Sequence, residues 1–248
     1  MATYKTRAII LSSYPYREHD RIVSFYSEDY GRMEARARGT RKIESKLAGN
    51  IEQFIETDLL LAAGRRWDIL AGSRAINNRP ILRSDMNLLS SASVCVEAVK
   101  HISKPLSKDK RIFLLLRDAM DILERKDLPK EHTRAVAGTF LWKLLHTSGF
   151  APELENCINC RIKSQKVMFS AEGGGILCDS CQNRDIFAIN IDNKELNELR
   201  ESRIISQKSF DLVIQYWNRI VDHAELKSLE FFNVINQNTF PLLYSGGG

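Results

Sequence analysis

The chain has 248 residues, 44% of them hydrophobic and 27% charged, with a formal net charge of +5. That is ordinary for a globular protein and enough to bury a real core, in two modest domains or one large one. The longest uninterrupted apolar stretch, about Leu59 to Gly64, is far short of a membrane span. No basic-then-apolar leader opens the sequence, so the expectation is a cytoplasmic chain with no membrane contact. Four of the five cysteines are clustered, which fits a reducing compartment where thiolates bind metal instead of forming disulfides.

The charge is unevenly spread. Residues 1–80 hold 14 Lys and Arg against 10 Asp and Glu, and residues 81–248 hold 22 against 21, so a polyanion-binding role points to the first third. There the apolar period is two and the runs are short, which predicts strands near residues 3–12, 20–27, 31–38, 51–61 and 67–76. Tyr14-Pro15-Tyr16 reads as a break after the first strand, and Ser27 to Gly31 as a tight turn. Five strands with one longer connection, 39–50, suit a small closed barrel of the OB-fold type, with an SH3-like barrel as the nearest competitor.

The third strand carries the functional signal. Arg32, Met33, Glu34, Ala35, Arg36, Ala37 and Arg38 alternate, so one face is small and apolar and the other mostly guanidinium. The next loop adds Arg41, Lys42 and Lys46, making six positive residues against two negative between Arg32 and Lys46. Such a face, edged by a basic loop and extended by Arg65 and Arg66, matches the groove by which OB-folds follow a nucleic-acid backbone. A solvated face whose charges block edge pairing would look the same. Tyr26 and Tyr30 are candidates for base stacking or for the core, and these residues imply no base-specific readout.

After Arg79-Pro80 the period changes to three and four. Ser84-Asp85 is placed to cap a helix through Leu88, Ala92, Cys95, Val99 and Ile102. Further helices are expected at about 109–126, 130–148, 192–201, 207–224 and 225–236. Gly149 closes the third, and Ser245 to Gly248 reads as a disordered tail. The expected architecture is α+β and multidomain: an OB-fold barrel over 1–80, a helical domain over 81–156 and 182–244, and a zinc ribbon over 157–181 inserted between its helices. Cys95 lies in an apolar run and reads as a core residue. Trp142, Trp217 and Phe231-Phe232 read as core aromatics.

The ribbon rests on Cys157-Ile158-Asn159-Cys160, seventeen intervening residues, and Cys178-Asp179-Ser180-Cys181. Two Cys-x-x-Cys turns brought face to face supply the four-sulfur tetrahedron of structural zinc. Val167 to Ser170 and Gly175 to Leu177 read as the hairpin that brings them together. All four corners are cysteine, so the metal is expected to be structural, stabilising a segment too small for its own core by ~10–16 kcal/mol. A thiol oxidoreductase would want one pair at a helix start, where thiolate pKa is lowered. No catalytic site is legible: Gly173-Gly174-Gly175 lacks the Lys-Ser/Thr of a phosphate loop, and the five histidines have no ligand spacing. A non-enzymatic protein is therefore expected.

Taken together, this order resembles the RecO family of bacterial recombination mediators. The resemblance is carried by Arg17-Glu18-His19-Asp20-Arg21-Ile22-Val23, Gly39-Thr40-Arg41-Lys42, Ser148-Gly149-Phe150-Ala151-Pro152-Glu153-Leu154, and Phe169-Ser170 with Gly173-Gly174 before Cys178. The family usually has glycine after the first knuckle, where Arg161 stands here. The resemblance implies a repair factor that binds single- and double-stranded DNA and anneals complementary strands. It also implies cooperation with RecR to load RecA onto DNA coated by single-strand-binding protein, whose acidic C-terminal tail it would contact among the helices. The expected phosphate contacts are Arg36, Arg38, Arg41, Lys42 and Lys46, with Arg32, Arg65 and Arg66 beside them. The alternative is a zinc-stabilised protein–protein adaptor that does not touch DNA.

Overall fold

The computed structural model describes residues 2–41, 47–221 and 226–236. Five strands, β1 (Thr3–Tyr16), β2 (Asp20–Ser27), β3 (Gly31–Ala37), β4 (Glu56–Ala62) and β5 (Asp68–Asn77), close into a barrel in the order β1-β2-β3-β5-β4. Neighbours run antiparallel except β3 and β5, which meet in parallel at Ala35–Asp68 and Arg36–Ile69. The period-two pattern becomes an interior of Ala8, Ile10, Val23, Phe25, Met33, Ala35, Ala37, Leu59, Leu61 and Leu70.

Two details differ from the sequence reading, and a third, left open there, is decided for the core. β1 does not stop before Tyr14; it continues through Pro15 to Tyr16, with a bulge between Ile10 and Ser12. Beyond Ile9 it has β2 alone as a ladder partner, and a strand with one free edge tolerates a proline. β4 starts at Glu56 rather than near 51, after a single 3-10 turn at Ala48–Asn50. Tyr26 belongs to the packed structure, since its ring is buried and its hydroxyl donates to the Asp109 carbonyl at 3.1 Å. Burial also pushes its phenol up to about 12.

Pro80 does close the strand region, and it also opens a short helix, α1 (Pro80–Ser84), where its missing amide costs nothing. Asp85 caps α2 (Met86–Ile102), accepting from the amides of Asn87 and Leu88 at 2.8 and 3.2 Å. Asp109 caps α3 (Lys110–Leu123). α2 and α3 pack on each other and on β1. By packing, the barrel and the helices that follow it form one compact unit, 1–127, and the rest of the chain a second, 128–248. The outer face of β2 is the reason: Ile22, Ser24 and Tyr26 point away from the barrel interior yet are buried, so this sheet needs a cover.

Gly31 shows how close the cover lies. Its φ is +72°, and a Cβ there would sit 2.2 Å from the carbonyl oxygen of Ser107, in the loop between α2 and α3. Arg79 ties the same elements together from within. It is fully buried at φ +48°, with Nε donating to the Phe54 carbonyl at 3.1 Å, Nη2 reaching Glu56 at 3.3 Å and Nη1 paired with Asp121 of α3.

The second unit holds α4 (Thr133–Thr147), α5 (Asn193–Arg200), α6 (Gln207–Ile220) and α7 (Ser228–Asn236), with a three-stranded sheet in the order β7-β6-β8. Its strands are β6 (Val167–Ser170), β7 (Gly175–Cys178) and β8 (Ile189–Ile191). Trp142 is buried among them: its Nε1 donates to the Leu199 carbonyl at 2.7 Å, and its ring lies 6.4 Å from Phe169 and 6.0 Å from Tyr216. Phe169 thus docks the hairpin onto α4 and α6. The expected positions 222–224 at the end of α6 and the tail 245–248 lie outside the described residues. No described helix is long and apolar enough to cross a membrane.

Candidate metal centre and nucleic-acid interface

Two knuckles meet because the chain before the first threads onto the hairpin. Glu153 pairs with Gly175, the Ile176 amide donates to the Glu153 carbonyl at 2.9 Å, and the Ile158 amide donates to the Ile176 carbonyl at 2.8 Å. Only glycine fits at 175, where a Cβ would lie 2.5 Å from the Glu153 oxygen. The result brings the sulfurs of Cys157, Cys160, Cys178 and Cys181 within 4.8 Å of one another. Cys160 and Cys178 are 3.6 Å apart. Four thiolates at about 2.3 Å from a tetrahedral ion would be about 3.8 Å apart, so the set fits a metal ion with no open corner.

The surroundings favour thiolate over thiol at one corner. Burial opposes ionisation of Cys157, but the amides of Cys160, Cys178 and Asn159 outweigh it and bring its pKa down to about 6. Cys178 is pushed up to about 12 by burial and by its three neighbouring sulfurs. Asn159 Nδ2 donates to Cys181 Sγ at 3.2 Å. Arg161, just after the first knuckle, takes φ +64°, the conformation that glycine adopts freely. Cys95 is buried in α2.

The basic residues fall into three groups. Arg32 and Arg36 are already engaged. Arg32 Nη1 donates to the Lys100 carbonyl at the end of α2, where a cation complements the helix terminus. Arg36 holds Asp20 through Nε at 2.7 Å and Nη2 at 2.5 Å, with its side chain 24% exposed. Burial alone would raise the Asp20 carboxyl, but the Gly39 amide and the Arg36 guanidinium more than offset it and hold it below the usual range. Arg36 therefore clamps the start of the 39–41 turn instead of presenting a free charge.

The second group is open. Arg38, Arg65 and Arg66 are exposed, and Arg38 and Arg65 make no ion pair among the described residues. Arg41 is exposed; its Nη1 donates to the carbonyls of Arg17 and Glu18, at 3.4 and 3.1 Å, and among the described residues its side chain makes no ion pair. The third group, Lys42 and Lys46, lies outside the described residues. Arg17, not singled out in the sequence, joins the open set, its guanidinium 5.4 Å from the Tyr16 ring centre.

Aromatics interleave with these cations, but they are not the pair first considered. Tyr30 is 39% exposed and meets Tyr4 edge-on at 5.0 Å. The rings beside the cations are Tyr16 and Trp67, 5.2 Å apart, with Arg66 4.2 Å above Trp67 and Arg36 5.6 Å from Tyr16. Tyr14, 44% exposed, faces the same side, because strand register sets Tyr14 opposite Ile22 and Ile22 opposite Arg36. The signal was in the sequence as Tyr14-Pro15-Tyr16, read there as a chain break, followed by Arg17. Next to these rings a groove of about 750 Å³ runs over β1, β2 and β3 to the α2–α3 loop.

A closed barrel with an open cationic and aromatic face, followed by a four-cysteine ribbon set among helices, defines a class of two-unit proteins. Two family profiles cover most of the chain: Recombination protein O N terminal matches residues 1–79 and Recombination protein O C terminal matches residues 83–214. The chain belongs to the RecO family. Among its relatives, a DNA repair protein RecO of Dehalococcoides mccartyi is 35% identical over 182 residues, covering 73% of this chain and 70% of that one. One of Cutibacterium acnes is 34% identical over 188 residues, covering 73% and 75%. One of Alkaliphilus metalliredigens is 25% identical over 241 residues, covering 91% and 97%.

Proposed function

We propose that this protein is a non-enzymatic DNA repair and recombination mediator. Its barrel, read as an OB-fold from its strand order, binds single- and double-stranded DNA on the face that carries Arg17, Arg38, Arg41, Arg65 and Arg66. The observation that carries the reading is that Arg17 and Arg66 lie against Tyr16 and Trp67, two rings 5.2 Å apart, with Arg41 held on the carbonyls of Arg17 and Glu18, in a family whose relatives bear the name DNA repair protein. Cations neutralise phosphates on two strands at once, and base pairing between the strands then supplies the sequence match. No nucleotide cofactor is required for that step. Zinc held by Cys157, Cys160, Cys178 and Cys181 keeps the second unit folded. Membership of the family supports the remaining roles: partnership with RecR, loading of RecA onto DNA coated by single-strand-binding protein, contact with that protein's C-terminal tail, and a cytoplasmic, nucleoid-associated setting.

The test is DNA affinity against salt, with strand annealing measured alongside it in the presence and absence of single-strand-binding protein. Five phosphate contacts give a log–log slope of about −3.5 on single strands and about −4.5 on duplex. Replacing Arg38, Arg41 and Arg66 together by alanine should reduce the single-strand slope by about 2 and slow annealing. A slope unchanged by that triple replacement removes the assignment of these residues. A wild type without salt-dependent affinity for DNA leaves the adaptor reading in its place.

A further inference from the structure

Leu106, in the α2–α3 loop, is 70% exposed and sits at φ +57°, a conformation disfavoured for any residue with a Cβ. The loop is stitched in that state to β3. The Leu106 amide donates to the Arg32 carbonyl at 2.9 Å, Pro105 pairs with Arg32, and Ser107 presses on Gly31. An exposed apolar side chain in a strained backbone adds nothing to the core. It lines the groove that Tyr14 and Trp67 also line.

The groove has a distinctive charge layout. Ser12, Ser24 and Glu34 line it, and Trp67 Nε1 donates to Glu34 at 3.3 Å. Arg66, Arg32 and Lys100 line it as well. A carboxylate repels phosphate but accepts from the exocyclic amine or ring N–H of a base. β3 rises about 7 Å between Arg32, where Pro105 pairs, and Glu34, where Trp67 bonds, and a base held between two walls needs about twice the 3.4 Å stacking distance.

We propose that this groove is a slot for one unpaired base of a single strand, with Leu106 as one wall, Trp67 and Tyr14 as the other, and Glu34 reading the base edge. This deepens the DNA-binding reading of the barrel and rests on it. A paired base cannot enter without leaving its stack, so the slot favours single strands over duplex and holds a strand with its bases separated. The phosphates stay outside, on Arg17, Arg38, Arg41 and Arg66.

The probe is an oligothymidylate with a single 2-aminopurine, against a duplex of the same length. Wild type should quench the 2-aminopurine on binding. Leu106→Gly, which relieves the backbone strain, should weaken single-strand affinity about ten-fold and reduce the quench with duplex affinity and its salt slope unchanged, and Trp67→Ala should weaken single-strand affinity more than duplex affinity. Equal weakening for single strand and duplex, or unchanged single-strand affinity in both variants, overturns the slot while leaving the cationic face standing. A wild type with no salt-dependent affinity for either probe overturns both readings.

Discussion

Arg79→Met removes the buried cation that ties the barrel to α3 while keeping most of the side-chain volume. Its partners set the size of the loss. Asp121 is 47% exposed on its side chain and returns to water at little cost. Glu56 is 5% exposed and keeps just the longer contact with Arg7, at 4.0 Å, while the Phe54 carbonyl loses its buried donor. Breaking a buried pair in this way costs about 3–5 kcal/mol, or about 10–20 °C in Tm for a unit of this size. The pH dependence carries a second signature. Burial raises the folded Glu56 pKa above its normal value, against the opposing pull of Arg79, so its contribution to stability is full in acid and declines as pH rises through the raised value. Without Arg79 the shift grows, so the deficit of the variant should be larger at pH 8 than at pH 5. Urea unfolding of the full chain followed by circular dichroism measures it, and adding Glu56→Gln should recover part of the loss at pH 8. A deficit under 1 kcal/mol, a deficit equal at both pH values, or a double variant no better than Arg79→Met would refute the argument.

Cys178→Ser together with Cys181→Ser should abolish stoichiometric zinc, read by metal analysis, and unfold the second unit while the 1–127 transition persists; full metal retention would contradict the four-thiolate site. Arg161→Gly should stabilise the first knuckle by about 0.5–1 kcal/mol, since glycine takes φ +64° without strain and the ion pair lost, at 4.0 Å to Glu153, is exposed; a destabilised variant in thermal denaturation argues against it. Gly138→Ala would set a Cβ 2.8 Å from Phe210 and 2.9 Å from Ile204, and should cost about 1–3 kcal/mol; an equally stable variant would show that α4 and α6 are free to part.

Local signals explain what could be read without coordinates. Alternation in 31–38 is a statement about two faces of one strand, and the three-and-four spacing from Leu88 to Val99 is a statement about one stripe of one helix. Cys-x-x-Cys geometry is likewise decided within four residues, so the gathering of these four cysteines into one cluster was legible. The sequence also named Asp85 as a cap and Gly31 as a turn, since both act on backbone atoms a few residues away.

Which side chain meets which across the barrel is a matter of register and of long-range pairing, and neither has a local signature. Asp20 and Arg36 lie sixteen residues apart and neutralise each other, which took Arg36 out of the cationic face, and Arg32 was claimed by the end of α2. Tyr16 and Trp67 came together only because β1 runs on past Pro15 and β5 closes on β3. The grouping of α1, α2 and α3 with the barrel has the same cause: whether a buried outer strand face is covered by the next helices or by later ones depends on packing between surfaces distant in the chain, and periodicity describes each surface without saying which other it meets.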